Sequence, residues 1–233
     1  MKNIDVVILC GGLGRRLRPA VSDRPKPMAQ VNNKPFLDIL IQYLAGFGLK
    51  RFILCSGYMG DAIRKHYKRI PKSLEIVLSQ EKKPLGTGGA IKNAQSLILS
   101  SSFLVLNGDS FCRVNFSDFY KFHLKKKALL SIVLSRPKDD QNSGVVILDH
   151  RERIVKFNEK VKPLKGSFCS VGIYLMGKEI FQFMGENKIF SLEYDLFPAL
   201  AGKNCYGYYC KKDFVDIGTP QNLMKASNFL KHE

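Results

Sequence analysis

The chain has no tryptophan, four histidines, six cysteines, and 20 acidic residues against 37 basic ones. Each shortage excludes something. Cys10, Cys55, Cys112, Cys169, Cys205 and Cys210 form no Cys-x-x-Cys pair, and the histidines offer no zinc spacing, so a zinc module is excluded. Most of these cysteines sit in apolar runs, where free, buried thiols are expected. No apolar run approaches the roughly 18 to 20 residues of a membrane span. Met1-Lys-Asn-Ile-Asp5 leads straight into a strand without a signal-peptide apolar block, so a cytoplasmic protein with no membrane partner is expected. Internal repeats, low-complexity tracts and linkers are also missing. The net charge of +17 would suit nucleic acid or substrates carrying several phosphates. The basic residues are spread along the chain, with Lys125-Lys-Lys127 the one run of three, and no RNA-binding aromatic signature or helix-turn-helix accompanies them. Nucleic acid is therefore not an expected partner.

What the chain does have is a stretch near its start, Ile4-Asp-Val-Val-Ile-Leu-Cys-Gly-Gly-Leu-Gly-Arg-Arg-Leu-Arg-Pro19. The apolar, β-branched opening reads as a buried parallel strand. Gly11, Gly12 and Gly14 then let the backbone turn tightly and approach a ligand. Free N–H groups in such a turn hold anions. Arg15, Arg16 and Arg18 follow, and a guanidinium can grip phosphate oxygens with two parallel hydrogen bonds. A phosphate-bearing ligand at the carboxyl end of the first strand is expected. A P-loop is excluded, because Arg-Arg stands where Lys-Ser/Thr is needed, and Leu17 argues against the dinucleotide fingerprint.

Along the chain, strands are predicted over residues 4–10, 51–55, 74–79 and 103–106, alternating with helices over 35–48, 61–70, 87–99 and 116–127. That alternation implies a mostly parallel sheet with helices on both faces. Strands over 129–136, 144–148, 154–158 and 168–175 have short connections and extend the sheet in mixed or antiparallel fashion. Helices over 178–185 and 192–201, a strand over 206–210, and a last helix capped by Thr219-Pro220 complete the reading. At 233 residues the chain is expected to form one domain, with a nucleotide-binding half (1–127) and a sugar-phosphate-binding half (128–233).

Several stretches together carry a family resemblance: Leu9-Cys-Gly-Gly-Leu-Gly-Arg-Arg-Leu-Arg-Pro19, Arg24-Pro-Lys-Pro-Met28, Pro84-Leu-Gly-Thr-Gly-Gly-Ala90, Leu106-Asn-Gly-Asp109, Phe157-Asn-Glu-Lys160 and Asp216-Ile-Gly-Thr-Pro220. In this order they resemble the signature of the sugar-1-phosphate nucleotidyltransferases. The resemblance implies an α/β fold, a Rossmann-like, mostly parallel mixed sheet flanked by helices and related to GT-A folds. It also implies a reaction: a sugar 1-phosphate oxygen attacks the α-phosphorus of a nucleoside triphosphate, and pyrophosphate leaves. The attacking phosphate is already largely ionised, its second pKa being about 6, so no general base is needed. The protein must align two polyanions and neutralise charge as it develops.

By resemblance, Arg16 contacts the triphosphate and Lys26, held between Pro25 and Pro27, is the second catalytic cation. Arg15 is expected in solvent. Leu9, Gly11, Gly12, Gly14, Asn107 and Gly108 are assigned to the nucleotide, as are Glu81, Gly86 and Thr87. Asp109 follows an apolar strand and a glycine, and Asp216 occupies a similar position. Two carboxylates from distant parts of the chain suit one octahedral Mg2+, and capping of the following helix is the competing role for each. Lys160 is the candidate for the sugar 1-phosphate and Glu159 for a sugar hydroxyl pair. Gly144 and Gly172 are expected to let backbone approach the sugar. Ser170-Val171-Gly172 departs from the Asn-Ala/Thr-Gly of many relatives, which suggests a different sugar.

By resemblance, Gln80-Glu81 followed by Pro84-Leu-Gly-Thr-Gly-Gly89 is the base-reading loop, with Glu81 five residues before Gly86. Thymidylyl- and uridylyltransferases tend to carry glutamine at that position, whose amide suits the imide edge of a pyrimidine. A carboxylate accepts only, which suits the N1–H and N2–H2 donors of guanine, so GTP is favoured provided Glu81 and not Gln80 faces inward. The motifs are most similar to the D-glycero-α-D-manno-heptose 1-phosphate guanylyltransferases, implying GTP and a heptose 1-phosphate as partners and supply of a bacterial surface glycan. Mannose-1-phosphate guanylyltransferase, a uridylyltransferase and a non-catalytic sugar-nucleotide sensor are the alternatives, and a homodimer is left open.

Overall fold

The computed structural model describes residues 3–68, 73–137, 144–185 and 189–231. β1 (Asp5–Leu9) runs into the glycine-rich connection, a 3-10 turn at Lys26–Met28, and a two-residue ladder of β2 (Gln30–Val31) with β3 (Lys34–Pro35). Next come α1 (Phe36–Gly46), β4 (Arg51–Ser56), α2 (Gly60–Tyr67), β5 (Glu75–Gln80), α3 (Gly86–Asn93), β6 (Ser102–Asn107), β7 (Ser110–Cys112) and α4 (Phe116–Lys126). The second half supplies β8 (Leu130–Ser135), β9 (Val145–Leu148), β10 (Ile154–Asn158), β11 (Phe168–Gly177), α5 (Phe197–Leu200), β12 (Cys205–Tyr209), β13 (Phe214–Asp216) and α6 (Pro220–Phe229).

One sheet of nine strands runs through both halves, in the order β10-β9-β11-β6-β1-β4-β5, with β8 and β12 continuing from β11. β1 lies parallel to β4 and β6, and β11 joins β6 antiparallel. The apolar strand runs form a sheet because period-2 alternation divides them between two cores. Val6, Ile8, Phe52, Leu54, Leu104 and Leu106 face the core beneath α1, α4 and α6. Val7, Ile53, Phe103, Val105, Tyr174 and Met176 face the core that holds Ile91 of α3 and Phe197 of α5. A strand buried on both faces needs an unbroken apolar run, and each such side chain contributes about 1.5–3 kcal/mol.

The amino end of the sheet is closed by charge pairing. Buried Asp5 accepts from Arg51 Nη1 at 2.9 Å and from the Ser100 backbone N–H at 2.9 Å, and Arg51 Nε reaches Glu75 at 2.8 Å. Burial works against the charged form of Asp5, but the Ser100 N–H and Arg51 outweigh it and hold the carboxyl below its usual range.

Three predicted helices differ. The one over 87–99 is α3 followed by a 3-10 turn at Gln95–Leu97. The Asn93 amide donates to Ser79 Oγ at 3.0 Å and ties the helix end to β5, and polar Gln95-Ser96 gives the chain a tighter turn. Residues 178–183 form a 3-10 segment whose first N–H is taken by Ser101 O. The stretch 192–201 is a π turn at Leu192–Leu196 running into the four-residue α5, since Pro198 has no N–H for the preceding turn. The β7–β13 ladder, three residues on each side, was not foreseen; strands that short show no alternation. Part of the predicted 61–70 helix, residues 69 and 70, lies outside the described residues. Lys125 and Lys126 occupy the last turn of α4, where the helix dipole favours cations. All six cysteines are buried thiols outside any disulfide. Among the described residues no helix is long and apolar enough to cross a membrane.

Candidate active site

A cavity of about 550 Å3 opens at the carboxyl ends of β1, β4 and β6. The location follows from the topology: the parallel strands end together, and the loops that follow them diverge. Leu9, Gly11, Gly12, Lys26, Glu81, Gly86, Thr87, Asn107 and Asp109 all line it. Pro27 of the Arg24–Met28 motif lines it as well, as do Gly57, Tyr58, Lys82 and Lys83, which belong to no motif read from the sequence. Lys82 and Lys83 read as dispersed surface charge, and only the loop after β5 brings them to the cavity.

The glycines divide by role. A side chain on Gly11 would meet Glu81 Oε1 at 2.8 Å, so its bareness makes room for that carboxylate. Gly12 has open space in front of it. Gly14 stands at φ +60 against the Lys26 stem. Gly108 donates its N–H to the Leu9 carbonyl at 3.0 Å and is a close-packing glycine between β1 and β6, outside the cavity wall. Gly86, at φ +76, starts α3 under the Phe190 carbonyl, which a Cβ would strike at 2.4 Å.

Glu81 faces in and Gln80 faces out. Glu81 Oε2 accepts the Leu85 N–H at 3.1 Å, and Oε1 lies over Gly11 and Gly57. Burial raises the Glu81 carboxyl above its usual range, against the Leu85 N–H. Gln80 is exposed and accepts from Arg64 on α2. One-residue alternation along β5 decides between the two.

The charged groups gather beside the cavity. Lys26 Nζ donates to Asp109 Oδ2. The β7–β13 ladder sets Asp216 opposite Ser110, and Ile217 N donates to the Asp109 carbonyl at 2.9 Å, so the two aspartates become neighbours. A Cβ on Gly218 would lie 2.6 Å from Asp216 Oδ1 and 3.4 Å from both Arg16 Nη2 and Lys26 Nζ. Arg16, Lys26, Asp109 and Asp216 therefore converge. Arg15 is exposed. Both aspartates already accept hydrogen bonds: Asp109 Oδ1 from Ser110 Oγ at 3.0 Å, Asp216 Oδ1 from Gly218 N at 2.7 Å and Oδ2 from Asn222 Nδ2 at 2.8 Å. Asp216 thus also braces the start of α6, whose cap proper is Thr219 accepting from Asn222 N.

The sugar-side candidates lie next to this cluster. Gly172, at φ +77, is a bulge where the β11–β8 register shifts between Ser170 and Tyr174. A Cβ there would sit 2.5 Å from Asn107 Nδ2, so the strand passes hard against a cavity residue. Gly144 leaves room for Glu159, whose Oε2 a Cβ would meet at 2.9 Å. Burial, then the neighbouring Glu193 charge, push Glu159 up to about 7, against Lys160. Lys160 lies over the Tyr194 ring at 5.5 Å, and its hydrogen bond to Tyr194 raises its pKa. Glu193 and Tyr194 carry no sequence signal, because they fall in the predicted helix over 192–201, and Ser191 lies just before it in no motif. Among the described residues no group of three or more acidic, histidine or cysteine side chains forms a metal cluster.

With that geometry in place, the nucleotidyl transferase family model matches residues 5–233. The chain belongs to this family. Within the family it is 36% identical over 230 residues to a D-glycero-alpha-D-manno-heptose 1-phosphate guanylyltransferase of Aneurinibacillus thermoaerophilus, covering 98% of this chain and 99% of that one. A mannose-1-phosphate guanylyltransferase of Mycobacterium tuberculosis is 31% identical, and the match spans 96% of this chain but 64% of the relative. The structure of HddC from Yersinia pseudotuberculosis complexed with GMP-PN superposes with a TM-score of 0.84 at 36% identity, covering 97% of this chain and 99% of that one. A glucose-1-phosphate thymidylyltransferase of Bacillus anthracis, described as putative, also gives 0.84 at 18% identity, which extends the shared fold alone. The fold is the mostly parallel, helix-flanked α/β sheet expected of the family, and the chain is a nucleotidyltransferase.

Proposed function

We propose that the protein joins GTP to D-glycero-α-D-manno-heptose 1-phosphate, giving the GDP-heptose and pyrophosphate for a bacterial surface glycan. The observation that carries the base is Glu81: its carboxylate stands in the cavity, while Gln80 turns to solvent. A carboxylate accepts from guanine N1–H and N2–H2 and meets repulsion at a pyrimidine O4. The acceptor sugar rests on the near full-length similarity to heptose 1-phosphate guanylyltransferases.

In this reading the backbone of Gly11 and Gly12 cradles the phosphates, while Arg16 and Lys26 neutralise charge that moves onto the departing pyrophosphate. Lys160 holds the attacking sugar phosphate and Glu159 takes sugar hydroxyls, while Gly144 and Gly172 make room for Glu159 and Asn107. The divalent ion is assigned as Mg2+, held by Asp109 and Asp216. Their hard oxygen donors fit it, since each carboxylate keeps a free lone pair beyond the hydrogen bonds it accepts. When bound, the ion supplies Lewis-acid stabilisation of the α-phosphate oxygens. Asp109 also orients Lys26, so its carboxylate serves the ammonium directly.

Pyrophosphate release from purified protein, measured across GTP, UTP, dTTP and ATP with heptose, mannose and glucose 1-phosphates, tests the reading. GTP with heptose 1-phosphate should give the highest kcat/KM. Preferential UTP or dTTP turnover overturns the assignment of Glu81; a preference for mannose 1-phosphate overturns the acceptor.

A further inference from the structure

Thr87 lines the nucleotide cavity, but its hydroxyl points elsewhere. Oγ1 accepts from Leu192 N at 2.8 Å and donates to Glu193 Oε2 at 2.7 Å. The same Glu193 oxygen accepts from Ser191 Oγ at 2.7 Å, and Oε1 faces Tyr174 Oη at 3.5 Å. The backbone repeats the connection. The Phe190 carbonyl accepts from Gly88 N and Gly89 N at 3.1 and 3.3 Å, and Phe190 N donates to the Leu85 carbonyl at 3.1 Å. The Phe190 ring packs where a side chain on Gly88 would stand. Residues 190–194, from the second half of the chain, are thus strapped across the first turn of α3.

Glu193 is also the charged neighbour of Glu159, and Tyr194, one residue on, holds Lys160. Glu159 faces three further groups: Glu193 from the strap, Lys160 beside it, and Tyr174 from β11. A chain of hydrogen bonds therefore runs from the nucleotide loop, through one hydroxyl, to Glu193, whose charge acts on Glu159 and whose neighbour Tyr194 holds Lys160.

We propose that Thr87 is a positioning residue that couples the two substrate sites: nucleotide seated on the Pro84–Thr87 loop fixes the hydroxyl, which holds Glu193 and, through the strap, sets Glu159 and Lys160 for the acceptor. The inference rests on the two-substrate reading above. Coupling of this kind is reciprocal, so each ligand tightens the other by the same factor. A hydrogen bond to a charged group sets the scale at about tenfold.

The test is calorimetric binding of D-glycero-α-D-manno-heptose 1-phosphate, with and without a non-transferring GTP analogue, in magnesium buffer. In the unaltered protein the analogue should tighten acceptor binding about tenfold. Thr87→Val should bring that factor close to one, and Thr87→Ser should restore it. Glu193→Gln, which keeps the side chain's shape, should reduce it as well and serves if Thr87→Val fails to fold. A wild-type factor of one, or a Thr87→Val protein with the wild-type factor and only a lower Tm, overturns the proposal. If both ligands bind with coupling but no GDP-sugar forms, the proposed function fails and the coupling stands. Turnover without coupling does the reverse, and an acceptor that binds under neither condition overturns both.

Discussion

The two ends of the same parallel strands carry charge in opposite ways. At the amino end, Asp5, Arg51 and Glu75 answer one another, with the Ser100 N–H adding to the pairing. Asp5 is 4% exposed and opens onto nothing. At the carboxyl end, Arg16, Lys26, Asp109 and Asp216 crowd around Gly218 beside an open cavity. The first arrangement is hydrogen-bonded to protein on every side and holds three strands together. The second gathers two cations and two hydrogen-bonded carboxylates that still have lone pairs to offer a ligand. The difference points to stability at one end of the sheet and ligand binding at the other, because charged groups can meet a ligand only where a cavity opens beside them.

The sharpest way to break that comparison is at the carboxyl end. Asp109→Asn and Lys26→Ala should each lower kcat by about 10²–10³-fold in pyrophosphate release, with stability changed by no more than about 1 kcal/mol. An unfolded variant, or an undiminished rate, would erase the division of labour. At the other end, Asp5→Asn should cost about 3 kcal/mol in denaturant unfolding, because it leaves Arg51 partly uncompensated, while kcat stays at the wild-type value. The Asp5 contribution has a defined pH sense. Its carboxyl is held below its ordinary value of 3.8, so its stabilisation is present above that value and is lost as pH falls through the lowered native pKa.

A smaller effect is expected at Glu81. Glu81→Gln should shrink the preference for GTP over UTP about tenfold in kcat/KM, by exchanging an acceptor-only group for one that also donates. A pH effect is expected at Glu159. Its native pKa is raised from 4.5 to about 7, so the folded state holds an extra proton between those values. That stabilisation is complete below pH 4.5 and is lost as pH rises through about 7. Glu159→Gln should flatten this slope in Tm measured across the window; an unchanged slope would place its source elsewhere.

Much of the site was legible in the chain because its parts are local. A β-branched run followed by glycines and arginines announces a strand end and an anion cradle, and Lys26 between two prolines announces a fixed cation. The period-2 division of Val6, Val7 and Ile8 between two cores follows from an unbroken apolar run. What was not legible is non-local. Nothing near Asp216 tells that it pairs across the β7–β13 ladder to lie beside Asp109. Glu193 sits in a stretch with helical spacing, and its role depends on a hydroxyl more than 100 residues earlier. Lys82 and Lys83 look like solvated charge until β5 and its loop are placed.

By itself the sequence determined most of the order of strands and helices, the family, and most of the side chains proposed to meet phosphate, because hydrophobic period, glycine freedom and fixed charge act over a few residues. Only the tertiary structure decided which of Gln80 and Glu81 faces the cavity, that the β7–β13 ladder is what brings Asp216 beside Asp109, and how residues 190–194 are strapped to α3. Those outcomes turn on strand register and long-range pairing, where one residue of slip exchanges inside for outside and no short stretch of chain records the answer.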